Sequence, residues 1–134
     1  MANDTLDGQW MGVSLTVNDL ERSVAWYRDV AGFTVAQTHE REGKLVAASL
    51  RGGNARILLA QDDGARGANR AKGEGFSIMV VTEQNIDALA DGIRARGGTL
   101  AAEPADMPWG ARVFRVHDPD GFRIAISTDP RPQS

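Results

Sequence analysis

Two histidines, His39 and His117, and the close carboxylates Asp118 and Asp120 are the first residues to weigh for chemistry. Histidine is the usual general base near neutral pH, and neighbouring carboxylates can divide acid and base roles. Each has a plainer reading here. In Asp118-Pro119-Asp120-Gly121 the proline presets φ at the second turn position and glycine takes a positive φ without steric cost. Asp side chains also hydrogen-bond within such turns. His117 directly precedes this turn, and His39 lies beside the Glu40-Arg41-Glu42 charge cluster, so both are expected at the surface. The glycine-rich stretch 62–74 lacks the strand–loop–helix context of a phosphate cradle and reads as a linker or loop. There is no cysteine, hence no thiolate ligand, cysteine nucleophile or disulfide. What remains is recognition chemistry: Arg56 and Arg123 for polar contacts, and Trp109, flanked by Met107 and Gly110, as an aromatic in an irregular connection.

The chain must supply the elements that place these groups. Its 134 residues suit one domain with a real core. A formal net charge of −3 argues against nucleic acid or a membrane surface as partner, since both need a concentrated basic face. The opening MANDTLDGQ has no apolar run of signal-peptide length, and Ile78-Met79-Val80-Val81 is too short to span a bilayer. A cytoplasmic protein is expected.

Alternation of Val13, Leu15 and Val17 with Gly12, Ser14 and Thr16 predicts a half-buried strand. Asp19 is placed to cap a helix carrying Leu20, Ser23, Val24, Tyr27 and Ala31 on one stripe, with Gly32 as its stop. Trp26 falls at the edge of that stripe. Strands are expected over 33–39, 45–50 and 55–61, the last two joined by the turn Arg51-Gly52-Gly53-Asn54. After 62–74 the pattern restarts. Gly12-Val13-Ser14-Leu15 is echoed by Gly75-Phe76-Ser77-Ile78, 63 positions on. The helix stripe returns at Ile86, Leu89, Ala90, Ile93 and Gly97, with Gly98 matched to Gly32, 66 positions on. Ile57-Leu58-Leu59 returns as Ile124-Ala125-Ile126, 67 positions on, after a second hairpin of strands 113–117 and 122–127. A unit repeating at this interval is a duplicated βαβββ module.

The fold class is therefore α+β: two tandem βαβββ modules forming a curved, cup-like mixed sheet with helices on the outside. Residues 1–10 form a flexible tail and 11–128 one domain. Its modules are 11–61 and 75–128, with 62–74 as linker and 129–134 as a C-terminal tail. Alternation puts Val13, Leu15, Val17, Ile57, Leu59, Phe76, Ile78, Val80, Ile124 and Ile126 under the helices. The cup face takes Gly12, Ser14, Thr16, Arg56, Leu58, Ala60, Gly75, Ser77, Met79, Arg123, Ala125 and Ser127. This smaller, more polar set suits a concave face for a ligand.

SLTVNDLERSVAWYRDVAGF (14–33) and VHDPDGFRIAI (116–126), set on paired modules over about 11–128, resemble the vicinal oxygen chelate superfamily. It includes glyoxalase I, bleomycin-resistance proteins, ring-cleaving dioxygenases and fosfomycin-modifying enzymes. The resemblance implies a divalent metal held by His, Gln or Glu from the first and fourth strands of each module. Those positions read Gly12, Leu58, Gly75 and Ala125, none with a donor atom, so no metal site and no cofactor are expected. In the bleomycin-resistance branch a comparable Pro-Trp-Gly segment lines the ligand groove, which implies that role for Trp109. The expectation is a metal-free binder of a small organic molecule, an antibiotic or metabolite. Trp109 and Met107 would stack on it over a floor of Leu58 and Met79, with Arg56, Arg123, Ser14 and Ser77 as polar contacts. The alternative is a glyoxalase-like lyase or isomerase, or a dioxygenase-type enzyme, using an unrecognised metal or acid–base work by His39 or Glu74. A third is an accessory module with an empty cup. Family members commonly pair, so a homodimer is expected, with Trp26 as available apolar surface.

Overall fold

The computed structural model describes residues 5–67 and 71–129. Residues 1–4 of the expected N-terminal tail, 68–70 of the linker and 130–134 of the C-terminal tail lie outside it.

In the first module β1 (Gly12–Val17) leads to α1 (Leu20–Trp26), which runs on into a π-helical turn, Tyr27–Ala31. Strands β2 (Thr34–Arg41), β3 (Lys44–Gly52) and β4 (Ala55–Gln61) follow. The second module has β5 (Ile78–Val81), α2 (Ile86–Ala95), β6 (Leu100–Asp106), β7 (Arg112–His117) and β8 (Arg123–Ser127). Each module makes one four-stranded mixed sheet, ordered β1-β4-β3-β2 and β5-β8-β7-β6. In each, the first strand pairs parallel with the fourth, and the other pairs are antiparallel. The same strand order twice is what duplication predicts.

Local chemistry sets the helix ends. The Asp19 carboxylate accepts from the Arg22 amide at 3.2 Å, and Asn85 does the same for Ala88 at 2.9 Å, each satisfying an orphan donor of the first turn. Gly32 closes the first helical segment at φ 90°. In the second module that left-handed role falls to Gly97 (φ 91°), not to Gly98. Gly98 is required for a different reason. A Cβ there would lie 2.6 Å from both Ile93 Cγ2 and Val30 Cγ1, so its bareness lets the modules close on each other.

Leu15, Val17, Ile57 and Leu59, with Leu20, Val24 and Tyr27 of the helix, are buried as the alternation predicts. Their counterparts Ile86, Ala90, Ile93 and Ile124 join the same continuous core, together with Phe114 and Val116 of β7. Phe76 departs from expectation. It precedes β5, is 42% exposed and tilts against Phe122 at 5.9 Å between ring centroids. β5 starts later than expected because Gly75 takes φ 82° and turns the chain first. β6, which has little strand character in sequence, is an edge strand whose register slips on both sides of Ala102; an edge tolerates its Pro104. Trp26 is partly buried against the core and meets Tyr27 edge-on, so it offers less free surface than its place at the stripe's edge suggested. Among the described residues no helix is long and apolar enough to cross a membrane.

Among the described residues one buried side-chain hydrogen bond ties the modules together. Tyr27, fully buried at the end of α1, donates to Asp118 Oδ2 at 2.8 Å. Asp118 also accepts from the amides of Asp120 (2.9 Å) and Phe122 (2.8 Å), so one carboxylate organises its own turn and anchors the other module. Burial, and then the Asp118 charge, push the Tyr27 phenol far above its ordinary value. Burial raises the Asp118 carboxyl against the opposing pull of its three donors.

Three outcomes follow from these contacts and from the close approach at Gly98. Tyr27→Phe should cost about 1.5–3 kcal/mol in urea unfolding, because it removes a hydrogen bond to a buried charged acceptor. Asp118 holds its proton to higher pH folded than unfolded. The stability this linkage adds is complete below the unfolded pKa and is lost as pH rises through the raised folded value. Asp118→Asn should therefore flatten stability against pH just above the ordinary carboxylate range; an unchanged slope would contradict the assignment. Gly98→Ala should cost about 1–3 kcal/mol by overpacking, read as a lower urea midpoint.

Candidate functional site

The helices cover one face of each sheet and leave the other open. On the first module's open face the register sets Gly12 opposite Arg56 and Arg56 opposite Arg51. The next row is Ser14, Leu58 and Ser49. Beyond it, Thr16, Ala60, Ala47 and the exposed His39 form a third row, so His39 stands at the open end of this face. Leu58 is 39% exposed. Arg56 is not a free polar contact, because the Trp10 ring lies over its guanidinium, 4.0 Å from Cζ to the ring centroid. Its Nε is buried and has no hydrogen-bond partner among the described residues. Gly12 makes this possible: a Cβ there would come within 3.3 Å of the Trp10 ring. Trp10 was missed as a site residue because it stands outside any periodic element. The available signal was a large aromatic two residues before a glycine on the cup face.

On the second module's open face Met79 is opposite Ala125 and Ala125 opposite Arg115; one row along, Arg123 faces His117. Gly75, Phe76, Ser77, Arg115, Arg123 and Ala125 line a shallow cavity of about 530 Å³. Diagonal neighbours on such a ladder stand about 7–8 Å apart, which aims Arg115 and Arg123 at one shared volume. Neither is in an ion pair among the described residues. By contrast, Arg112 is held by Asp87 and Asp106, and Arg94 by Asp91 and Glu103. Arg115 was missed in sequence although it alternates onto the same face as His117.

The expected site residues therefore divide. Ser14, Arg56 and Leu58 lie on the first face. Ser77 and Arg123 share the second-face cavity, with Met79 on the adjoining strand. Met107 packs on Ala111, Val113 and Ala125 at the cavity's edge. Its loop is closed by bonds from Met107 N to Ala111 O (2.7 Å) and from Gly110 N to Met107 O (3.0 Å). Trp109, at the tip of that loop, is 57% exposed and does not line the cavity. The two groups meet through Phe76, which lines both this cavity and an adjoining cleft shared by Ser14, Thr16, Glu74 and Phe122.

A family model described as the Glyoxalase/Bleomycin resistance protein/Dioxygenase superfamily matches residues 11–126, and the chain belongs to that superfamily. Among curated relatives, the probable lactoylglutathione lyase of Vibrio cholerae is 31% identical over 118 residues, covering 84% of both chains. The lactoylglutathione lyase of Haemophilus influenzae is 31% identical over 129 residues, 87% of this chain and 89% of its own. Against the Arabidopsis thaliana lactoylglutathione lyase GLX1, 28% identical, the chain spans about half of the relative's length (46%). The solved structure of TioX from Micromonospora sp. ML1 superposes with a TM-score of 0.74 at 24% identity, covering 90% of this chain and 98% of its own. A superfamily member from Sphaerobacter thermophilus gives 0.72 at 21% identity, over 92% and 98%.

The metal that this membership raises can be tested against the donors present. Leu58 and Ala125 hold the same place in their modules, opposite Ser14 and Met79 respectively. The residue matching Gly12 is then Ser77, two before Met79. The expected Gly75 position is thus two residues out, displaced by the turn that delays β5. Gly12, Leu58, Ser77 and Ala125 carry no imidazole and no carboxylate. Among the described residues no group of three or more His, Asp or Glu is placed to hold a metal ion. The donor set does not fit a transition metal.

Arg123→Gln and Arg115→Gln should each weaken an anionic ligand of this cavity by about 1.5–3 kcal/mol, the range for a hydrogen bond to a charged group. Calorimetric titration of the wild type and both variants measures it. Equal affinities would place the ligand elsewhere.

Proposed function

We propose that this protein captures a small organic molecule on the open face of its second module, without a metal, as a cytoplasmic homodimer. The observation that carries the reading is the pairing of metal positions without imidazole or carboxylate with two arginines over one cavity that form no ion pair among the described residues. Arg115 and Arg123 suit an anionic or carbonyl-rich group, Ser77 adds a hydroxyl, and Phe76 and Met79 supply apolar surface. The Met107–Gly110 loop stands beside this face, and its exposed Trp109 is the ring we assign to close over a bound ligand. Capture of an antibiotic or a metabolite is the corresponding biological role, and stoichiometric binding without turnover is its mechanism.

A second reading is favoured by the relatives named lactoylglutathione lyase: a lyase or isomerase on the same scaffold. Without metal donors, its acid–base work would fall to a group such as Glu74, which lines the cleft beside Phe76.

Elemental analysis, melting and activity separate the two. The binder reading expects substoichiometric zinc, nickel, iron and manganese, and a melting temperature unmoved by chelator, since no metal-binding free energy is linked to folding. A screened ligand should raise the melting temperature and be recovered unchanged. About one tightly held transition metal per subunit, or lactoylglutathione lyase turnover, would contradict it. In a Trp10→Phe, Trp26→Phe background, Trp109→Ala should weaken that ligand by about 1–3 kcal/mol, as for an aromatic anchor, and leave the fold intact. Equal binding would remove Trp109 from the site.

A further inference from the structure

A duplicated chain has two equivalent seams between its modules, and here the two are filled differently. At the first, the fully buried Tyr27 bonds Asp118, and Phe122 follows the turn into the main core, 6% exposed. The repeat matches Tyr27 with Ile93, Asp118 with Arg51 and Phe122 with Ala55, at the intervals of 66 and 67 found in the sequence. The second seam therefore has no ring at the places of Tyr27 and Phe122 and no carboxylate at that of Asp118, although Phe33, packed on Gly52, and Phe114 stand in its walls. A cavity of about 670 Å³ opens there, with Ala55, Leu89, Ile93, Phe114 and Ile126 among its walls and Asn54, Thr82 and Gln84 at its polar rim. Its walls include Val80 and Val81, the counterparts of Leu15 and Thr16, which border Phe122 in the cleft at the first seam. Arg96 also reaches the seam, where its Nε donates to Val30 O at 3.0 Å.

We propose that this second seam is a binding site for a single aromatic ring of a small molecule. The ring stands where Phe122 stands in the first seam, and a hydroxyl or similar group bonds at the rim. An apolar cavity of roughly 150 Å³ lined by Leu, Ile and Phe already accepts one benzene ring. Ala55 starts β4 with the parity of Ile57 and Leu59, so it lies on the helix side of the sheet, not on the open face. The seam site is thus distinct from the Arg115–Arg123 cavity and does not rest on the role proposed for it.

Phenol is the probe, followed by the methyl resonances of Leu89, Ile93 and Ile126 in the full chain. The expected result is saturable shifts of those methyls, unaffected by Arg115→Gln. Ala55→Phe puts a phenyl where the first seam has one, so it should raise the melting temperature and weaken phenol by at least about tenfold, as filling a cavity does. Ala55→Leu, a smaller insertion, should weaken phenol to a lesser degree and serves as the readout if Ala55→Phe does not fold. Methyls that phenol leaves unmoved would overturn the proposal. So would phenol binding that neither Ala55 variant weakens, or an Ala55→Phe protein that melts lower and still binds phenol.

Discussion

The hydrogen bond from the buried Tyr27 hydroxyl to Asp118 is the contact on which the arrangement of the two modules depends. A carboxylate is expensive to bury, and this one is held by three donors: its two turn amides and a phenol from the other module. Around it, Arg22 donates to Pro119 O at 2.8 Å and Asp120 accepts from the Asn18 amide at 2.7 Å, so the end of β1 and the start of α1 are sewn to the same turn. That turn joins β7 to β8, the two strands that carry Arg115 and Arg123. A tyrosine of the first module in this way holds the turn between the two strands that carry the second module's cavity.

Duplication gave two sheets of one topology, and the sequence has since made their open faces chemically unlike. On the first, Gly12 makes room for Trp10 to cover Arg56, so its cation is spent inside the chain. On the second, Ser77 stands where Gly12 does, and among the described residues no aromatic covers Arg123 and neither Arg123 nor Arg115 is in an ion pair. None of Gly12, Leu58, Ser77 and Ala125 belongs to the main core, so the residue types at these four positions do not bear on it. In the proposed reading the paired arginines of the second face supply the fixed positive charge, which binds oxyanions but does not activate water or polarise a carbonyl as a Lewis acid does.

Much of this was legible in the sequence, for identifiable reasons. The stripe from Leu20 to Tyr27, its Asp19 cap and the strands around Ile57 and Ile124 are periodic, and periodicity survives without tertiary information. The turn at Asp118 was equally plain, but its second function was not, since nothing local says that Tyr27 will reach it. Positions governed by distant contacts were misread. Gly98 looked like a helix stop and is bare because Val30 of the other module lies against it. Gly75 looked like the partner of Gly12 because both begin an alternating run; the turn at its positive φ moves the register by two. Trp10 and Arg115 escaped notice because one precedes the first element and the other alternates as any strand residue does. Only the fold shows what each one faces.

The central claim is that the open faces hold an organic anion by arginine and no metal. The most direct test is a crystal structure of the protein soaked with nickel together with a ligand from screening, with anomalous scattering recorded at the nickel edge. The account predicts ligand oxygen within hydrogen-bond distance of Arg115 and Arg123, and no anomalous peak on either open face. A nickel peak between the ligand and the strands bearing Gly12, Leu58, Ser77 and Ala125 would contradict it.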